Sequence, residues 1–131
     1  KPLTGRGNIL TVVKEKLEKG EKYSVFDDQV RTPTFVEDLA AGILAIIEKK
    51  ATGIFHLSGK DVLTPYQMAY KVADHLNLDK TLLKKVTAAD FSQAARRPLK
   101  TGFIIEKARR ELGYDPISFD EGLAKTFPDQ K

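Results

Sequence analysis

Arg31 is the first residue in this sequence whose type and position suggest chemistry. It precedes a helix-forming pattern in the stretch RTPTFVEDLA, which carries Glu37 and Asp38 in its first turn. A guanidinium group is planar, permanently charged and able to bind phosphate oxygens in bidentate fashion. The helix start adds the positive end of a dipole, although the two acidic residues already occupy part of that position. Arg31 is therefore predicted either to hold a phosphate group or to form a surface ion pair with Asp27 or Asp28.

The histidines and the paired carboxylates do not form a catalytic or metal-binding pattern. His56 lies in an apolar stretch and is predicted to be a hydrogen-bonded core residue, whereas His75 is predicted on a helix surface. Two distant histidines without a nearby carboxylate pair make a poor metal site. Asp27 and Asp28 are adjacent, so their side chains point apart in an extended chain, and local turn bonding is their expected role. No bound metal is expected.

Motifs for nucleophilic catalysis and for nucleotide binding are also missing. The chain has no cysteine, which excludes thiolate catalysis, cysteine-ligated zinc and disulfide bonds. It has no Gly-x-Ser-x-Gly elbow. The segment GRGNIL has two glycines of a dinucleotide-binding loop, but Leu10 stands in place of the third and no predicted strand precedes it. This chain alone therefore carries no recognisable catalytic or cofactor motif.

Composition and charge favour a globular domain that binds neither membranes nor nucleic acid. The 131 residues suffice for one domain, and 41% of them are hydrophobic and 31% charged. The longest apolar run, residues 39–47, is too short to span a bilayer, and no signal peptide is visible. The formal charge is +4, but the basic residues form isolated pairs rather than a patch. Together with the lack of cysteine, these features suggest a cytoplasmic protein.

Apolar periodicity and capping signals predict two helices in the first half of the chain. The first runs from Ile9 to Lys19, with Asn8 as its N-cap, and its apolar residues Ile9, Leu10, Val13 and Leu17 share one face. The second begins at Thr34, which is expected to form a capping box with Glu37. Its apolar residues recur at helical spacing as far as Ile47, and they predict one continuous apolar face.

Three more helices are predicted in the second half. Thr64 and Gln67 form a capping box at the start of the third helix. The apolar residues of this helix recur at helical spacing and predict a buried stripe of Met68, Ala69, Val72, Ala73 and Leu76. The fourth helix runs from about Ile104 to Leu112 and stops at a glycine. Ser118 caps the last helix, which continues to about Thr126.

Short strands alternate with these helices. They are predicted at Tyr23 to Phe26, at residues 53–59 (GIFHLSG) and at Lys85 to Thr87, whereas residues 92–103 are predicted to form a loop. The pattern indicates an α/β or α+β module whose strands are too few and too short to make a sheet of their own. No internal boundary is visible, so residues 1–131 are expected to form a single module.

Six short segments, in their order along the chain, resemble the C-terminal half of extended short-chain dehydrogenases/reductases. They are GNILTVV, VFDDQVRTPTFVEDLA, GIFHLSG, TPYQMAYKVAD, RRPLKTGF and ARRELGY. Within that family the succession is most similar to the dTDP-4-dehydrorhamnose reductase branch, which belongs to the wider epimerase/dehydratase group. That branch has a D-Q-x-x-x-P-T segment before a D-L-A helix, a G-x-x-H-x-S-G strand and an R-P-x-N-S segment. The resemblance covers nearly the whole chain and implies a Rossmann-type α/β fold.

Members of this family are more than twice as long as this chain. Their N-terminal part carries a glycine-rich NAD(P) loop and a catalytic Tyr-x-x-x-Lys, and none of the four tyrosines here has a lysine four residues later. The resemblance therefore implies that residues 1–131 are a substrate-binding C-terminal module and that the N-terminal nucleotide-binding half is absent. It also implies NAD(P) as a cofactor of the full-length protein, with none bound by this part alone.

The resemblance also assigns candidate substrate-binding residues. Arg31 matches an arginine that contacts the sugar-nucleotide diphosphate in many family members. Gln29, in the D-Q segment, is expected either to hydrogen-bond the substrate or to hold the loop. Arg97 matches the arginine of the R-P segment, which lies near the substrate pocket in the family. Lys100 and Thr101 stand where this branch usually has Asn and Ser, and a cation in place of an amide favours a more anionic ligand.

Three neighbouring residues are expected to have other roles. Asn8 matches an asparagine near the pocket in relatives, but its role as a helix cap suffices to explain it. Asp38 is expected to be structural and to bond backbone amides at the helix start. Arg96 is expected to be solvated.

Two functions from different classes follow from the resemblance. The first is an enzyme part that orients diphosphate and sugar for hydride transfer in an NAD(P)-dependent reductase or epimerase of nucleotide-activated sugars, with the catalytic residues upstream. The second is a non-catalytic regulatory or scaffold subunit built on a reductase-like fold. Whether this chain alone is an enzyme stays open, since it holds no catalytic motif. The expected partners are a nucleotide sugar and the missing N-terminal half, and an uncovered apolar face is expected to drive self-association.

Overall fold

The computed structural model describes residues 7–90 and 95–128 of the chain. Within these ranges the α-helices and strands confirm the predicted α/β class and, with small shifts, most of the predicted elements. Their order is α1 (Ile9–Glu18), β1 (Tyr23–Phe26), α2 (Val36–Glu48), α3 (Pro65–His75), β2 (Leu83–Val86), α4 (Glu106–Leu112) and α5 (Phe119–Thr126).

The two strands form a small parallel sheet, so the prediction that the strands are too few and too short to make a sheet of their own is wrong. Tyr23 pairs with Leu83 at one end of the ladder, and Phe26 pairs with Val86 at the other. Both α2 and α3 lie between the strands in sequence, as the long crossover between parallel strands requires. Because the strands are parallel, their carboxyl ends meet at one edge, and the loops that start at residues 27 and 87 leave the sheet side by side. This is the edge at which open α/β sheets bind ligands.

One hydrophobic cluster lies where α1, α3 and α5 pack against the sheet. The apolar residues predicted along α1 and α3 supply most of it, since Val13, Val72 and Ala73 are fully buried. Burying a side chain of the size of Val72 contributes about 1.5–3 kcal/mol. The cluster is completed from the strands and from α5 by Val25, Leu83 and Leu123.

A second, smaller cluster joins α4 to α2. Ile105, Ala108, Leu112 and Tyr114 are buried there, and partly buried residues such as Ile46 pack against them. α2 enters this contact through only one side of the helix.

The predicted apolar face of α2 is largely uncovered. Four of its large side chains, Val36, Ile43, Leu44 and Ile47, remain 49–71% exposed. Beyond the helix, Ile54, Phe103 and Ile104 are also more than half exposed. We call these seven residues the apolar surface. Exposed apolar areas of this kind mark contact sites.

The predicted caps of α1, α3 and α5 are confirmed. The Asn8 side chain accepts from Thr11 N at 3.1 Å. Reciprocal capping boxes join Thr64 to Gln67 and Ser118 to Glu121. Each cap satisfies backbone donors that would otherwise have no partner at a helix start, which contributes about 0.5–2 kcal/mol.

The predicted capping box at α2 is wrong. The N-cap residue is Phe35, and it makes no side-chain cap bond. The Thr34 hydroxyl instead donates to Thr32 O and accepts from the backbone N–H of Gly59, each at 3.2 Å. A contact with a residue 25 positions away has therefore replaced the local bond with Glu37.

The predictions for residues 53–59 and for His56 are also wrong. This segment forms no strand, because no strand lies beside it in the described part of the chain. His56 is exposed rather than in the core, and its ring stacks on Phe103 at a centroid distance of 4.9 Å. An apolar run flanked by glycines was insufficient to predict a strand where no partner strand is present.

Two element boundaries moved by two residues. β2 covers Leu83–Val86 instead of Lys85 to Thr87, and α4 begins at Glu106 instead of Ile104. The predicted loop at residues 92–103 contains neither helix nor strand from residue 95 onward, and its first three residues lie outside the described part. No helix in the described ranges is long and apolar enough to cross a membrane.

Candidate functional site

The loop after β1 is fastened by its two aspartates. The Asp27 carboxylate accepts from Thr64 Oγ1 at 2.9 Å and lies 3.2 Å from Lys85 Nζ. The Asp28 carboxylate accepts from the backbone N–H of Ala88 at 2.8 Å. The prediction of local turn bonding is therefore wrong, because both partners come from segments far along the chain. These bonds hold the loop to the start of α3 and to the end of β2.

Val30 and Arg31, further along the loop, pair with two other segments of the chain. The backbone N–H of Val30 donates to Leu99 O at 2.8 Å, and Val30 O accepts from the N–H of Thr101 at 3.2 Å. Arg31 and Leu63 exchange two backbone hydrogen bonds of 2.9 Å each. The loop therefore runs between these segments with its backbone polar groups satisfied on both sides, which fixes the backbone that carries Arg31.

The side chain of Arg31 folds back onto its own loop. It is half-buried, and Nη1 donates to Val30 O at 2.7 Å while Nη2 donates to Gln29 Oε1 at 2.6 Å. The alternative of an ion pair with Asp27 or Asp28 is not observed, because those carboxylates bond other residues. Arg31 makes no ion pair with any described carboxylate. Its positive charge therefore stays available.

Gln29 is almost completely buried, with 3% of its surface exposed. Its Oε1 accepts from Arg31, while its Nε2 has no hydrogen-bond partner in the described part of the chain. A guanidinium can only donate, so the oxygen of the amide must be the atom that faces it. The structure therefore brings Gln29 and Arg31 together in direct contact.

Lys100 is brought alongside the same loop by its backbone. It forms a parallel bridge with Val30, and its side chain is exposed. Side chains alternate between the two faces of an extended chain, so Lys100 shares a face with Val30 whereas Gln29 and Arg31 share the other. Lys100 and Arg31 therefore flank the same backbone from opposite sides.

Arg97 lies in the same segment but apart from this arrangement. It is exposed, and its side chain forms no hydrogen bond or ion pair with a described residue. Arg96 is exposed as well, as predicted. The structure thus joins Gln29 to Arg31 and brings the Lys100 backbone beside their loop, whereas Arg97 takes no part in this arrangement.

The start of α2 approaches residues 58 and 59 very closely. A Cβ atom on Gly59 would lie 1.8 Å from Pro33 O, so only glycine fits there. Ser58 O accepts from the Tyr114 hydroxyl at 2.9 Å. The close approach of Gly59 to Pro33 fixes the far end of the Arg31 loop, where the chain enters α2.

The sequence did not indicate the residues that fasten this loop. Asp27, Asp28 and Thr64 all contribute, and only Thr64 carried a signal, which was the one for a helix cap. No local pattern shows that its hydroxyl also donates to a carboxylate 37 residues away. Bonds of this kind are set by tertiary packing.

The candidate site is an open edge rather than a closed pocket. A groove of about 560 Å³ runs between α3 and α5, and none of the four predicted site residues lines it. Leu63, whose backbone pairs with Arg31, stands at its margin. No group of three or more potential metal ligands occurs in residues 7–90 and 95–128. The arrangement offers cations and hydrogen-bond donors but no acid–base pair, so it fits binding and orientation of an anion.

Comparison with protein families settles the relationship of the chain. Residues 4–131 match the model of the RmlD substrate binding domain. The chain belongs to this family. The predicted resemblance to the dTDP-4-dehydrorhamnose reductase branch of extended short-chain dehydrogenases/reductases is thereby confirmed.

Individual relatives include both a reductase and a subunit of another enzyme. The "Probable low-salt glycan biosynthesis reductase Agl14" of Haloferax volcanii is 26% identical over 112 residues, which are 86% of this chain and 37% of the relative. Methionine adenosyltransferase 2 subunit beta of Danio rerio is 32% identical over 111 residues, covering 80% of this chain and 34% of the relative. The chain therefore spans little more than a third of these relatives.

The fold is also that of a solved reductase. The crystal structure of dTDP-4-dehydrorhamnose reductase from Bacillus anthracis in complex with NADP superposes with a TM-score of 0.81 at 26% sequence identity. The match covers 92% of this chain and 42% of that one. The Rossmann-type α/β fold expected from the sequence is confirmed.

The residues described here do not fit a dinucleotide cofactor by themselves. Gly7 directly precedes the N-cap of α1, and a Cβ there would meet the side chains of Thr11 and Val12 at 2.8 and 2.9 Å. The glycine therefore makes room for contacts at the start of its own helix. A dinucleotide loop needs three glycines between a strand and a helix, and Leu10 stands in the third position.

Proposed function

We propose that this chain is the substrate-binding part of an NAD(P)-dependent reductase that acts on a nucleotide-activated sugar. Its task is to orient the diphosphate and the sugar, while the residues that hold the nicotinamide, which donates the hydride, and that transfer the proton lie in the N-terminal half of the full-length protein. Orientation of this kind contributes to the rate because a near-attack geometry removes much of the entropic barrier.

The observation that carries this proposal is the fixed and uncompensated charge of Arg31. The two aspartates beside it bond Thr64, Lys85 and Ala88, and neither carboxylate forms an ion pair with the guanidinium. Its loop leaves the carboxyl end of a parallel strand, where α/β sheets bind ligands. A half-buried cation with free N–H donors at that place suits a diphosphate, since bonds between charged groups are the stronger ones.

The other candidates have complementary roles. Lys100, which pairs with Val30, and the exposed Arg97 in the same segment are proposed to add positive charge around the ligand. Gln29 belongs to the site through Arg31. Two cations besides Arg31 favour an anionic ligand and raise the rate of encounter with it.

The rest of the protein is proposed to cover the apolar surface. The chain accounts for 34–42% of the relatives compared above. An α2 face with side chains 49–71% exposed needs a partner, and the N-terminal half is proposed to be that partner. The ligand would then lie between the two halves, with Arg31 on one wall.

The test is hydride transfer by the full-length protein. Purified protein is incubated with NADPH or NADH and a dTDP-4-keto-6-deoxy sugar, and the loss of reduced nicotinamide absorbance is followed. Turnover is expected, and the Arg31→Met variant should raise KM for the sugar nucleotide about 10- to 100-fold because a charge-assisted contact is lost. Glu37→Gln, an exposed change in the same region, is the matched control. Oxidation of NADPH that is unaffected by Arg31→Met would contradict the role of Arg31, and no turnover with either cofactor would contradict the reductase.

A regulatory subunit is the second candidate. It is favoured by the 32% identity to methionine adenosyltransferase 2 subunit beta over 80% of this chain. The two proposals differ in the N-terminal half, because only the reductase needs a complete glycine-rich loop and Tyr-x-x-x-Lys. A full-length protein that lacks Tyr-x-x-x-Lys, binds NADPH or a partner enzyme and turns over no sugar nucleotide would support the regulatory subunit.

A further inference from the structure

We infer that Gln29 is a positioning residue that sets the orientation of the Arg31 guanidinium for the ligand diphosphate. This inference rests on the proposed function, because it assigns a cause to the geometry of the Arg31 contact. It gives Gln29 an indirect role, in which the ligand is bound by Arg31 and not by the amide.

The geometry of the pair supports this role. Arg31 Nη2 donates to Gln29 Oε1 at 2.6 Å, and Nη1 donates to Val30 O at 2.7 Å. Two acceptors on different nitrogens fix both the position and the plane of the guanidinium. Because Gln29 is only 3% exposed, its amide has no room to follow the arginine into solvent. The remaining N–H donors of the five that a guanidinium carries stay free for a ligand.

The chemistry of the acceptor is equally specific. An amide oxygen holds a guanidinium without cancelling its charge, whereas a carboxylate in the same place would form an ion pair with it. Two carboxylates stand just before Gln29 in the sequence, and both are turned to other partners. The loop therefore keeps acids away from Arg31 and presents a neutral acceptor to it.

The other end of the amide shows that Gln29 is not simply filling space. Its Nε2 is buried and has no hydrogen-bond partner in the described ranges. A buried donor without a partner is unfavourable, and methionine would occupy a similar volume without that penalty. The hydrogen bond that the amide oxygen accepts from Arg31 explains why this position holds an amide.

The experiment is a double-mutant cycle on the full-length protein, read by calorimetric binding of dTDP and of thymidine. The variants are Arg31→Met, Gln29→Met and the double variant. Arg31→Met is expected to weaken dTDP about 10- to 100-fold, and Gln29→Met about 3- to 10-fold. The affinity for thymidine should not change in either single variant, since thymidine lacks the diphosphate. In the Arg31→Met background, Gln29→Met should have no further effect on dTDP.

A charged variant separates positioning from a merely structural role. Gln29→Glu keeps an acceptor for Arg31 and is expected to preserve the urea midpoint, but to weaken dTDP at least as much as Gln29→Met by neutralising the cation. Retained dTDP affinity in Gln29→Glu would overturn the inference.

The outcomes distinguish this inference from the function on which it rests. If Arg31→Met leaves dTDP affinity unchanged, the proposed diphosphate contact fails, and the inference fails with it. If Arg31→Met weakens dTDP but Gln29→Met does not, only the positioning role is wrong. If Gln29→Met weakens dTDP by the same factor with and without Arg31, Gln29 acts on its own, as a ligand contact or through the fold, and the inference is overturned.

Discussion

The carboxylate of Asp38 accepts a hydrogen bond of 3.0 Å from the backbone N–H of Ile117, 79 residues away. It thereby joins the first turn of α2 to the residue that precedes the N-cap of α5. Asp38 was expected to bond backbone amides at the start of its own helix. The kind of partner is as expected, but the amide lies before a different helix, so Asp38 links two helices instead of capping one.

Replacing Asp38 should therefore destabilise the fold at a distance from its own helix. Asp38→Ala is expected to lower the free energy of unfolding by about 1–3 kcal/mol, because it leaves a half-buried backbone donor without its charged acceptor. Glu37→Ala, on the exposed side of the same turn, is the matched control and should change stability by less than about 0.5 kcal/mol. Urea denaturation measures both, and equal effects would show that the link to Ile117 contributes nothing.

The Thr64 hydroxyl should be worth more than an ordinary helix cap. It accepts from Gln67 N at 3.1 Å and also donates to Asp27 Oδ1 at 2.9 Å. Ser118 forms the same kind of capping box at α5 without such a second bond. Thr64→Ala is expected to cost about 2–4 kcal/mol and Ser118→Ala about 1 kcal/mol. If the two variants unfold at the same urea concentration, the bond from Thr64 to Asp27 does not stabilise the loop that carries Arg31.

Features that depend on neighbouring residues were predictable from the sequence. The caps at Asn8, Thr64 and Ser118 satisfy donors within three residues, and the buried stripe of α3 needs only helical periodicity. The failures share the opposite property. Thr34 and His56 were assigned local or core roles, but the first bonds Gly59 and the second stacks on Phe103.

The candidate site divides along the same line. Gln29 and Arg31 stand two positions apart, so side-chain alternation already places them on one face of an extended segment. Their separation from Asp27 and Asp28 could not be read from the sequence, because it depends on Thr64 and Ala88, which lie 37 and 60 residues further along the chain. The local sequence was therefore sufficient to identify Arg31 as a candidate, whereas tertiary contacts determine that it forms no ion pair with the neighbouring aspartates.

The apolar surface should make the isolated chain self-associate. Ile43 and Ile47 lie on the exposed face of α2, at 49% and 66% exposure. The double variant Ile43→Gln, Ile47→Gln is expected to abolish the rise of the sedimentation coefficient with concentration and to leave the urea midpoint unchanged. Glu48→Gln, exposed on the same helix, is the control and should still associate. A wild-type chain that stays monomeric at high concentration and binds no hydrophobic dye would contradict the prediction.

Tyr114 should make stability depend on pH in the alkaline range. Burial, and secondarily the Asp38 carboxylate, raise the pKa of its phenol above the ordinary value. The folded state therefore holds this proton more tightly than the unfolded state. The contribution of the protonated phenol to the free energy of unfolding is complete below about pH 10 and is lost as the pH rises through the folded-state pKa.

Tyr114→Phe removes this dependence, and it also removes the bond to Ser58 O, which should cost about 1 kcal/mol at neutral pH. The stability difference between wild type and Tyr114→Phe, measured by urea denaturation from neutral to alkaline pH, is expected to shrink above about pH 10. A difference between wild type and Tyr114→Phe that stays constant across this range would show that the Tyr114 proton is bound equally in both states.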